Sequence, residues 1–392
     1  MNSPELSDNN FILGSPEYVL PTATQIEQAE NPEEIDINIL RNERGILENL
    51  HERFDNLIQE KGWKQVTEIS ETSKYPDIDQ WVNSRIRQER GTKFYPCFVT
   101  TGEGDVRFLK VQVGKDENAL NGLREESNIL SKNILPIPAP KLIELGEASD
   151  TGLAYICLEA IKFEDGRVGS AAEWHPTHAI NAAEQVRLME RQNLDNLPPD
   201  IESLPQFQRE IRITDRMVGM VNRSGEQLPA EVANGIREFA SKGEISEVMV
   251  HGDLKLKNII MNRTGTVSII DWEMAGKGFM GQDAGKLMNN LESNPVVKNA
   301  FFEAYTRPDG KNYDSERLRG IYAGIIAENL VDITWRVENN PNADKNDLSD
   351  KAKAEINAYT SSIRTALNEY RMYSEEAVMD AYRQPQPVVA IA

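Results

Sequence analysis

The chain has 392 residues, more than one compact core usually holds, so we expect two packed lobes with appended segments. Its 63 Asp and Glu residues against 43 Lys and Arg give a net charge of -20, which opposes binding to nucleic acid or to an anionic membrane. With no apolar run long enough to cross a bilayer and no signal peptide behind Met1, we expect a cytoplasmic protein.

Residues 1–35 form an acidic tail. The segment carries Asp and Glu but no Lys or Arg, and it is rich in Asn, Ser and Pro. Such a composition buries too little apolar surface to offset the entropy of ordering, so we predict disorder. Apolar positions then recur at helical spacing from Ile39 to Lys61, which predicts a helix that adds to an N-terminal lobe, residues 36–160.

A β-hairpin is predicted in this lobe. Strand-like runs from Lys93 to Thr100 and from Val106 to Val113 flank a turn, Thr101–Asp105. The two cysteines of the chain, Cys97 and Cys157, both lie in apolar, strand-like runs. Buried free thiols in a reducing compartment are the simplest interpretation.

The helix predicted to follow the hairpin carries a carboxylate on its apolar face. Glu126 stands three residues after Leu123 and four before Leu130, so it lies inward, where a lone buried charge is costly. Lys110, in the second hairpin strand, would remove that cost as an ion-pair partner, although a lysine in such a strand can also point to solvent. Glu125 is the alternative partner, about a hundred degrees away on the helical wheel.

The rest of the chain is predicted to be mainly helical. Two further strands, Lys141 to Leu145 and Leu153 to Ile161, precede a C-terminal lobe, residues 161–392. Apolar residues at helical spacing predict two long helices near the C-terminus, Leu318 to Arg336 and Leu348 to Tyr382.

Most of the chemistry lies in two short stretches, Val250–Asn258 and Ile269–Glu273. A phosphoryl-transferring enzyme needs a carboxylate that orients the proton of the nucleophile, and oxygen or amide ligands for Mg²⁺. Asp253, Asn258 and Asp271 have those chemistries. The apolar runs between Asn258 and Asp271 predict a short hairpin that brings Asp271 back to the loop.

The two stretches together carry a family resemblance. The pattern His-Gly-Asp-x-x-x-x-Asn, residues 251–258, followed by Ile-Asp-Trp-Glu, residues 270–273, resembles the Brenner-type and metal motifs of the aminoglycoside phosphotransferase and choline kinase superfamily. The resemblance implies an α+β, bilobal protein-kinase-like fold, with a small antiparallel-sheet N-terminal lobe and a larger, mainly helical C-terminal lobe. It also implies transfer of the γ-phosphate of ATP, with Mg²⁺, to a hydroxyl of a small molecule such as an aminoglycoside, amino alcohol or sugar, and the acidic surface would favour a cation.

The resemblance assigns roles in the two motifs. Asp253 would be the catalytic base that orients the acceptor hydroxyl, and Asn258 and Asp271 would bind Mg²⁺. His251 would brace the loop. Lys255 would either neutralise the charge that develops on the transferred phosphate or remain an exposed loop lysine.

Asp283 resembles the family's helix-start aspartate, which braces the catalytic loop through hydrogen bonds to its backbone. An aspartate before Ala-Gly-Lys-Leu is also typical of a helix N-cap. The two roles are compatible.

The resemblance also places a nucleotide site in the N-terminal lobe. Lys110 would grip the α- and β-phosphates, with Glu126 as its partner. The phosphate loop would lie near Gly91, one hairpin before the lysine strand. The glycines of the turn at residues 101–105 would then serve backbone geometry, where a positive φ is needed.

The nucleotide base is predicted to bind where the two lobes join. Residues 157–161 resemble the edge strand and hinge of the family, which present backbone groups to adenine. We therefore place Glu159 and Ile161 at the base.

In the family, C-terminal helices wall the acceptor site. Tyr322, Trp335, Glu328 and Asp332 would then meet a cationic acceptor through aromatic faces and ion pairing. The competing interpretation makes them core aromatics and a solvated acidic face.

Two other functions compete with a small-molecule kinase. A catalytically silent nucleotide-binding or interaction module is motivated by the single glycine near residue 91 and by the acidic N-terminal extension. A protein kinase is the third hypothesis, and Trp272-Glu273 argues against it because protein kinases have Phe-Gly there. The sequence leaves open the acceptor, the choice between ATP and GTP, and the oligomeric state.

Overall fold

The computed structural model describes residues 50, 52–66, 68–70, 73–74, 94–112, 117–131, 135–148, 153–161, 167–168, 170–196, 218–222, 228–243, 245–338 and 350–383. Two compact units divide the chain. One comprises the described residues of Met1–Ser127 with Pro140–Lys162, and the other those of Asn128–Ala139 with Phe163–Ala392. The predicted tail, residues 1–35, and the predicted phosphate loop around Gly91 lie outside the described residues.

The first unit is built on an antiparallel sheet. Its strands are β1 (Lys64–Val66), β2 (Glu68–Ser70), β3 (Ser73–Lys74), β4 (Phe94–Thr100), β5 (Val106–Gln112), β6 (Leu142–Ala148) and β7 (Leu153–Glu159). The five strands β1, β4, β5, β7 and β6 lie side by side in that order, while β2 and β3 pair separately. The predicted hairpin is confirmed as β4 and β5.

The position of β7 corrects one prediction. Residues 157–161 were expected to follow the edge of the sheet. Instead β7 pairs with β5 on one side and β6 on the other, with Leu158 opposite both Phe108 and Leu142. The strand is therefore interior in the described sheet, and its backbone groups are largely used in pairing.

A helix covers one face of this sheet. Alternate residues of β4, Tyr95, Cys97 and Val99, are buried. They share a core with Phe54 and Leu57 of helix α1, residues 52–61. The C-terminal half of the predicted helix is thus confirmed, and both cysteines are buried free thiols, as predicted.

The turn between β4 and β5 uses one of its two glycines for backbone geometry. Gly104 has a φ of 89°, in the left-handed region that favours glycine, and its N–H donates to the Thr101 carbonyl. Gly102 does not have a positive φ, so the prediction was right for Gly104 alone.

Helix α2 (Glu117–Ser131) follows β5 in the chain, and its residues up to Ser127 belong to the first unit. Helices provide most of the second unit: α3 (Pro176–Glu190), α4 (Ala230–Ala240), α5 (Gln282–Asn290), α6 (Pro295–Thr306), α7 (Ser315–Glu338) and α8 (Asp350–Arg383). The two long C-terminal helices are confirmed as α7 and α8. No helix in the described part of the chain has the length and apolar character that a membrane span requires.

Short strands of the second unit frame the motif region. They are β8 (Arg167–Val168), β9 (Glu247–Val250), β10 (Ile259–Met261), β11 (Val267–Ile269) and β12 (Gly276–Phe279). Strand β10 lies between β11 and β8, and β9 pairs with β12. The α+β class predicted from the sequence is confirmed.

Glycines let helices α5 and α7 approach at backbone distance. A Cβ on Gly285 would lie 2.5 Å from the Ile325 nitrogen and 2.6 Å from the Gly324 carbonyl carbon. A Cβ on Gly281, just before α5, would lie 2.2 Å from the Gly320 carbonyl carbon. Real Cβ atoms do not approach so closely, so only glycine allows this packing.

We expect Gly285→Ala to lower the free energy of unfolding by about 1–3 kcal/mol, the usual cost of overpacking. Alanine favours a helix over glycine by about 1 kcal/mol, but the atoms in contact are backbone and cannot move aside. Chemical denaturation measures the change. Gly102→Ala is the control because no atom lies within 4 Å of its added Cβ. A Gly285→Ala protein as stable as the parent would contradict the packing argument.

Candidate active site

The loop from His251 to Asn258 is held at both ends by strand pairing. It follows β9, which pairs with β12 in register Val250 to Gly276, and it ends in a short 3₁₀ turn that leads into β10. Strand β10 pairs with both β11 and β8. The loop therefore starts and finishes on fixed backbone.

A hairpin returns the chain to this loop. Its turn is closed by Asn262, whose side-chain oxygen accepts hydrogen bonds from two backbone N–H groups of the turn. The Ile270 N–H donates to the Asn258 carbonyl at 2.9 Å, and Asp271 follows directly. The predicted hairpin of β10 and β11 is confirmed.

Asp253 is the centre of the polar contacts. Its Oδ2 lies 2.5 Å from Lys255 Nζ and accepts a 3.1 Å hydrogen bond from Asn258 Nδ2, while Oδ1 lies 3.0 Å from Lys286 Nζ. Burial raises the pKa of the carboxyl group, but the ammonium groups of Lys286 and Lys255 outweigh burial and hold the pKa below its ordinary value. Asp253 is therefore ionised at neutral pH, with its side chain 18% exposed.

Asn258 has one buried side-chain oxygen that accepts no hydrogen bond from the described residues. Its Nδ2 donates to the backbone carbonyl of Asp253 at 2.9 Å and to Oδ2 of the same residue. The reverse amide orientation would set Oδ1 against the carboxylate, so these contacts fix the orientation. Oδ1 is buried and has no hydrogen-bond partner among the described residues. An unsatisfied buried acceptor costs about 1–3 kcal/mol, and an oxygen of this kind is a suitable Mg²⁺ ligand.

Asp271 has an unusual backbone conformation. Its φ of 67° and ψ of 64° lie in the left-handed region, and it is the one non-glycine residue in the described ranges with a positive φ. Aspartate is among the residues that tolerate this region, but the conformation still costs free energy. Strain of this kind is concentrated at functional sites.

His251 braces the loop from inside. Its fully buried ring accepts a hydrogen bond at Nδ1 from the Asp253 N–H, 3.3 Å away, so Nε2 carries the proton and donates to the Ile270 carbonyl at 2.9 Å. The ring also packs edge-on against Trp272 at 4.8 Å between centroids. Burial lowers the pKa of His251, so the ring is neutral.

Asp283 holds the start of the loop. Its buried carboxylate accepts hydrogen bonds from the backbone N–H groups of His251 at 2.5 Å and Gly252 at 3.0 Å. Burial raises its pKa to about 7, and these two hydrogen bonds act in the opposite direction. The predicted brace is present, whereas the N-cap interpretation is wrong because Gly281 is the N-cap of α5.

A buried ion pair fixes the start of α5. Glu190, at the end of α3, accepts hydrogen bonds from the Gly281 N–H at 3.0 Å and the Tyr305 hydroxyl at 2.6 Å, and it pairs with Arg317. Burial raises the pKa of Glu190, and Arg317 opposes that rise. The segment that carries Asp283 is thereby anchored to α3, α6 and α7.

Lys286 is a site residue that the sequence did not predict. Its Nζ lies 3.0 Å from Asp253 Oδ1 and 3.0 Å from Glu328 Oε1, so the ammonium joins two carboxylates. Burial lowers the pKa of Lys286, but Glu328 and Asp253 raise it above its ordinary value, and the group stays charged. The available signal was spacing: Lys286 stands one helical turn after Asp283, on the same face.

The residues proposed to meet a cationic acceptor have different environments. Tyr322 is 1% exposed and packs among other aromatic rings, so the core interpretation is correct for it. Trp335 is 40% exposed, with the Arg336 guanidinium 4.9 Å from its ring centroid. For Asp332, burial and the neighbouring Glu328 raise the pKa to about 6.

The first unit contains the lysine and the glutamate predicted to pair. Lys110 Nζ lies 3.1 Å from Glu126 Oε2, and both residues are buried. The ammonium also lies 4.5 Å from the centroid of the Phe94 ring. The structure therefore brings Lys110 and Glu126 together, and Lys110 does not simply point to solvent.

One backbone group predicted to face the nucleotide base is already used. The Glu159 N–H donates to the Lys141 carbonyl at 2.8 Å within the first unit. Base recognition in residues 159–161 would have to use other backbone groups than the Glu159 N–H.

A comparison with models of protein families identifies one family. Residues 89–321, more than half of the chain, match the family described as "Phosphotransferase enzyme family". A comparison with curated proteins finds no match.

Solved structures are similar at low sequence identity. The GDP complex of wild-type aminoglycoside 2′-phosphotransferase-IIIa has a TM-score of 0.50 and 12% identity, covering 71% of this chain and 91% of that one. A choline/ethanolamine kinase family protein from Mesorhizobium loti has a TM-score of 0.48 and 16% identity, covering 72% and 90%. The first of these supports the bilobal protein-kinase-like fold that the sequence predicted.

We expect Asp283→Asn to lower the free energy of unfolding by about 1–3 kcal/mol, since an amide offers one oxygen and turns its NH₂ group toward the second backbone N–H. Hydrogen exchange of the His251 and Gly252 amides should accelerate, and mass spectrometry of peptides from the loop measures it. Asp309→Asn is the matched control, because exposed Asp309 also accepts two backbone N–H groups. Unchanged exchange in Asp283→Asn would contradict the bracing role.

Proposed function

The chain belongs to the phosphotransferase enzyme family, and we propose that it transfers the γ-phosphate of a nucleoside triphosphate, ATP in the first instance, to a hydroxyl group of a small molecule. The observation that carries the proposal is the arrangement inside one loop. Asn258 donates its amide to ionised Asp253, and its buried Oδ1 has no hydrogen-bond partner in the part of the chain that the structure describes. Asp253 is thus available to act on a hydroxyl group, and Asn258 is available to bind a cation.

Asp253 is the proposed base. The acceptor's hydroxyl oxygen would attack the γ-phosphorus, the bond to the β–γ bridging oxygen would break, and the nucleoside diphosphate would leave. Asp253 would orient the hydroxyl and receive its proton. A positioned base contributes about 10²–10⁴-fold to a rate. His251 supports this role indirectly, because its neutral ring accepts the Asp253 N–H.

Asn258 and Asp271 are the proposed Mg²⁺ ligands. Their amide and carboxylate oxygens are the donors that this ion prefers, and the Asn258 Oδ1 lacks any other partner among the described residues. When bound, Mg²⁺ would neutralise charge on the phosphate oxygens. The strained backbone of Asp271 is the cost of presenting its carboxylate at the end of β11.

Lys110, supported by Glu126, is the proposed contact to the nucleotide phosphates. The fixed ammonium and its buried partner fit that role. Gly91 for the phosphate loop, and Glu159 and Ile161 for the base, remain predictions. Because the structure of the similar aminoglycoside 2′-phosphotransferase-IIIa is a GDP complex, GTP should be tested beside ATP.

Lys255 is proposed to neutralise the charge that develops on the phosphoryl group during its transfer. It is 17% exposed and lies 2.5 Å from Asp253, which disfavours the interpretation as an exposed loop lysine. A cation beside the base would stay close to both the acceptor oxygen and the transferred group.

We expect the parent protein, with Mg²⁺ and ATP or GTP, to phosphorylate at least one member of a panel of aminoglycosides, amino alcohols and sugars. Asp253→Asn should lower kcat by about 10²–10⁴-fold while nucleotide affinity is retained. Product formation is followed by ³¹P NMR, and Asp309→Asn is the control.

Three outcomes separate the competing functions. If no acceptor is phosphorylated and Asp253→Asn leaves background nucleotide turnover unchanged, the silent-module hypothesis is favoured over ours. Labelling of the protein itself or of a polypeptide would favour a protein kinase. Phosphorylation of a small alcohol that disappears in Asp253→Asn supports our proposal.

We expect Asn258→Ala and Asp271→Asn to weaken Mg²⁺-dependent nucleotide binding by about 10–100-fold. Binding without Mg²⁺ should change little, since neither residue is proposed to contact the nucleotide directly. Isothermal titration calorimetry with and without Mg²⁺ measures both quantities, and Asn312→Ala serves as the control. Retention of the parent's Mg²⁺ dependence in Asp271→Asn would show that the metal assignment is wrong.

A further inference from the structure

Lys286 contacts two carboxylates, Asp253 and Glu328, and only Asp253 takes a direct part in the proposed reaction. Its ammonium contacts Asp253 Oδ1 and Glu328 Oε1, each at 3.0 Å. The lysine side chain is 18% exposed and Glu328 is 29% exposed. Glu328 thus anchors Lys286 from α7.

The backbone packing of α5 on α7 supports this anchoring. Gly285, directly before Lys286, contacts the backbone of Gly324 and Ile325 so closely that no Cβ would fit. Glu328 stands one helical turn after Gly324. The two helices therefore cannot slide apart without losing that contact, and the lysine is held against both carboxylates.

The two oxygens of Asp253 are used unequally. A carboxylate offers about four lone-pair sites, two on each oxygen. Oδ2 contacts two donors, Lys255 Nζ and Asn258 Nδ2, whereas Oδ1 contacts one, Lys286 Nζ, among the described residues. Oδ1 retains a lone pair for a further hydrogen bond, and Lys286 is the described residue that contacts this oxygen directly.

Resting on the proposed function, we propose that Lys286 is a positioning residue that fixes the Asp253 carboxylate so that Oδ1 receives the acceptor hydroxyl. Lys286 acts through Asp253. Glu328 keeps the lysine in place and acts on Asp253 through Lys286.

The test compares Lys286→Met with the parent protein and with Lys286→Arg. Lys286→Met keeps an unbranched side chain and removes the charge, and we expect kcat to fall by about 10–100-fold, the range for a base displaced by about 1 Å. The KM for the nucleotide should stay within about twofold. Lys286→Arg keeps a donor to Oδ1 and should recover part of the loss. Glu328→Gln should lower kcat less than Lys286→Met.

A double-mutant cycle tests whether Lys286 acts through Asp253. In the Asp253→Asn background, Lys286→Met should cause no further loss, because the group that it positions is already disabled. A full additional loss would overturn the proposal, and so would an unchanged kcat in Lys286→Met. Lys298→Ala is the matched control, since Lys298 is 19% exposed and pairs with a carboxylate elsewhere.

Two further measurements separate this proposal from other failures. If the loss in Lys286→Met matches a loss of folded protein by thermal denaturation, the lysine is merely structural and the proposal is overturned. Should the parent protein show no phosphoryl transfer, the proposed function fails, and crystal structures of the parent and Lys286→Met decide the positioning role alone. A turned Asp253 carboxylate in the variant supports it, and an unchanged conformer overturns it.

Discussion

The rest of the candidate site depends on the two hydrogen bonds that the Asp283 carboxylate accepts from the backbone of His251 and Gly252. They fix the start of the loop, and Asp253 follows directly. Burying a carboxylate costs free energy, and the two backbone donors offset part of that cost. Glu190 in turn fixes the turn that begins α5. The loop is therefore held by contacts that a neighbouring helix supplies, and a displacement of α5 would move Asp253.

Charge acts on two length scales in this protein. The net charge of -20 belongs to the whole surface. Around Asp253 the environment is different, because two ammonium groups lie within 3.0 Å of its oxygens. Partly buried pairs at such distances are screened little, whereas distant surface charges are screened by salt. Net charge is thus a poor guide to the acceptor that would bind beside Asp253.

Residues that are close along the chain could be predicted well. The hairpin between Asn258 and Asp271 followed from turn chemistry and two apolar runs, since both strands and the turn are local. The contact of Lys110 with Glu126 was expected from helical periodicity, the cost of a lone buried charge and the family resemblance together. The left-handed conformation of Asp271 did not follow, because no pattern of residue types specifies it.

The sequence by itself determined the strand–loop–hairpin around Asp253 and the residue types needed for phosphoryl transfer, because spacing and local propensity decide these, and the resemblance of its motifs to a family implied the α+β class. Only the tertiary structure decided that β7 is interior, that Tyr322 belongs to the core, and that Lys286 joins Asp253 to Glu328. Each of these depends on which elements pack together. The contact of Lys286 with Glu328 further requires glycines on two helices that are separate in the sequence, and periodicity within one helix cannot reveal its partner.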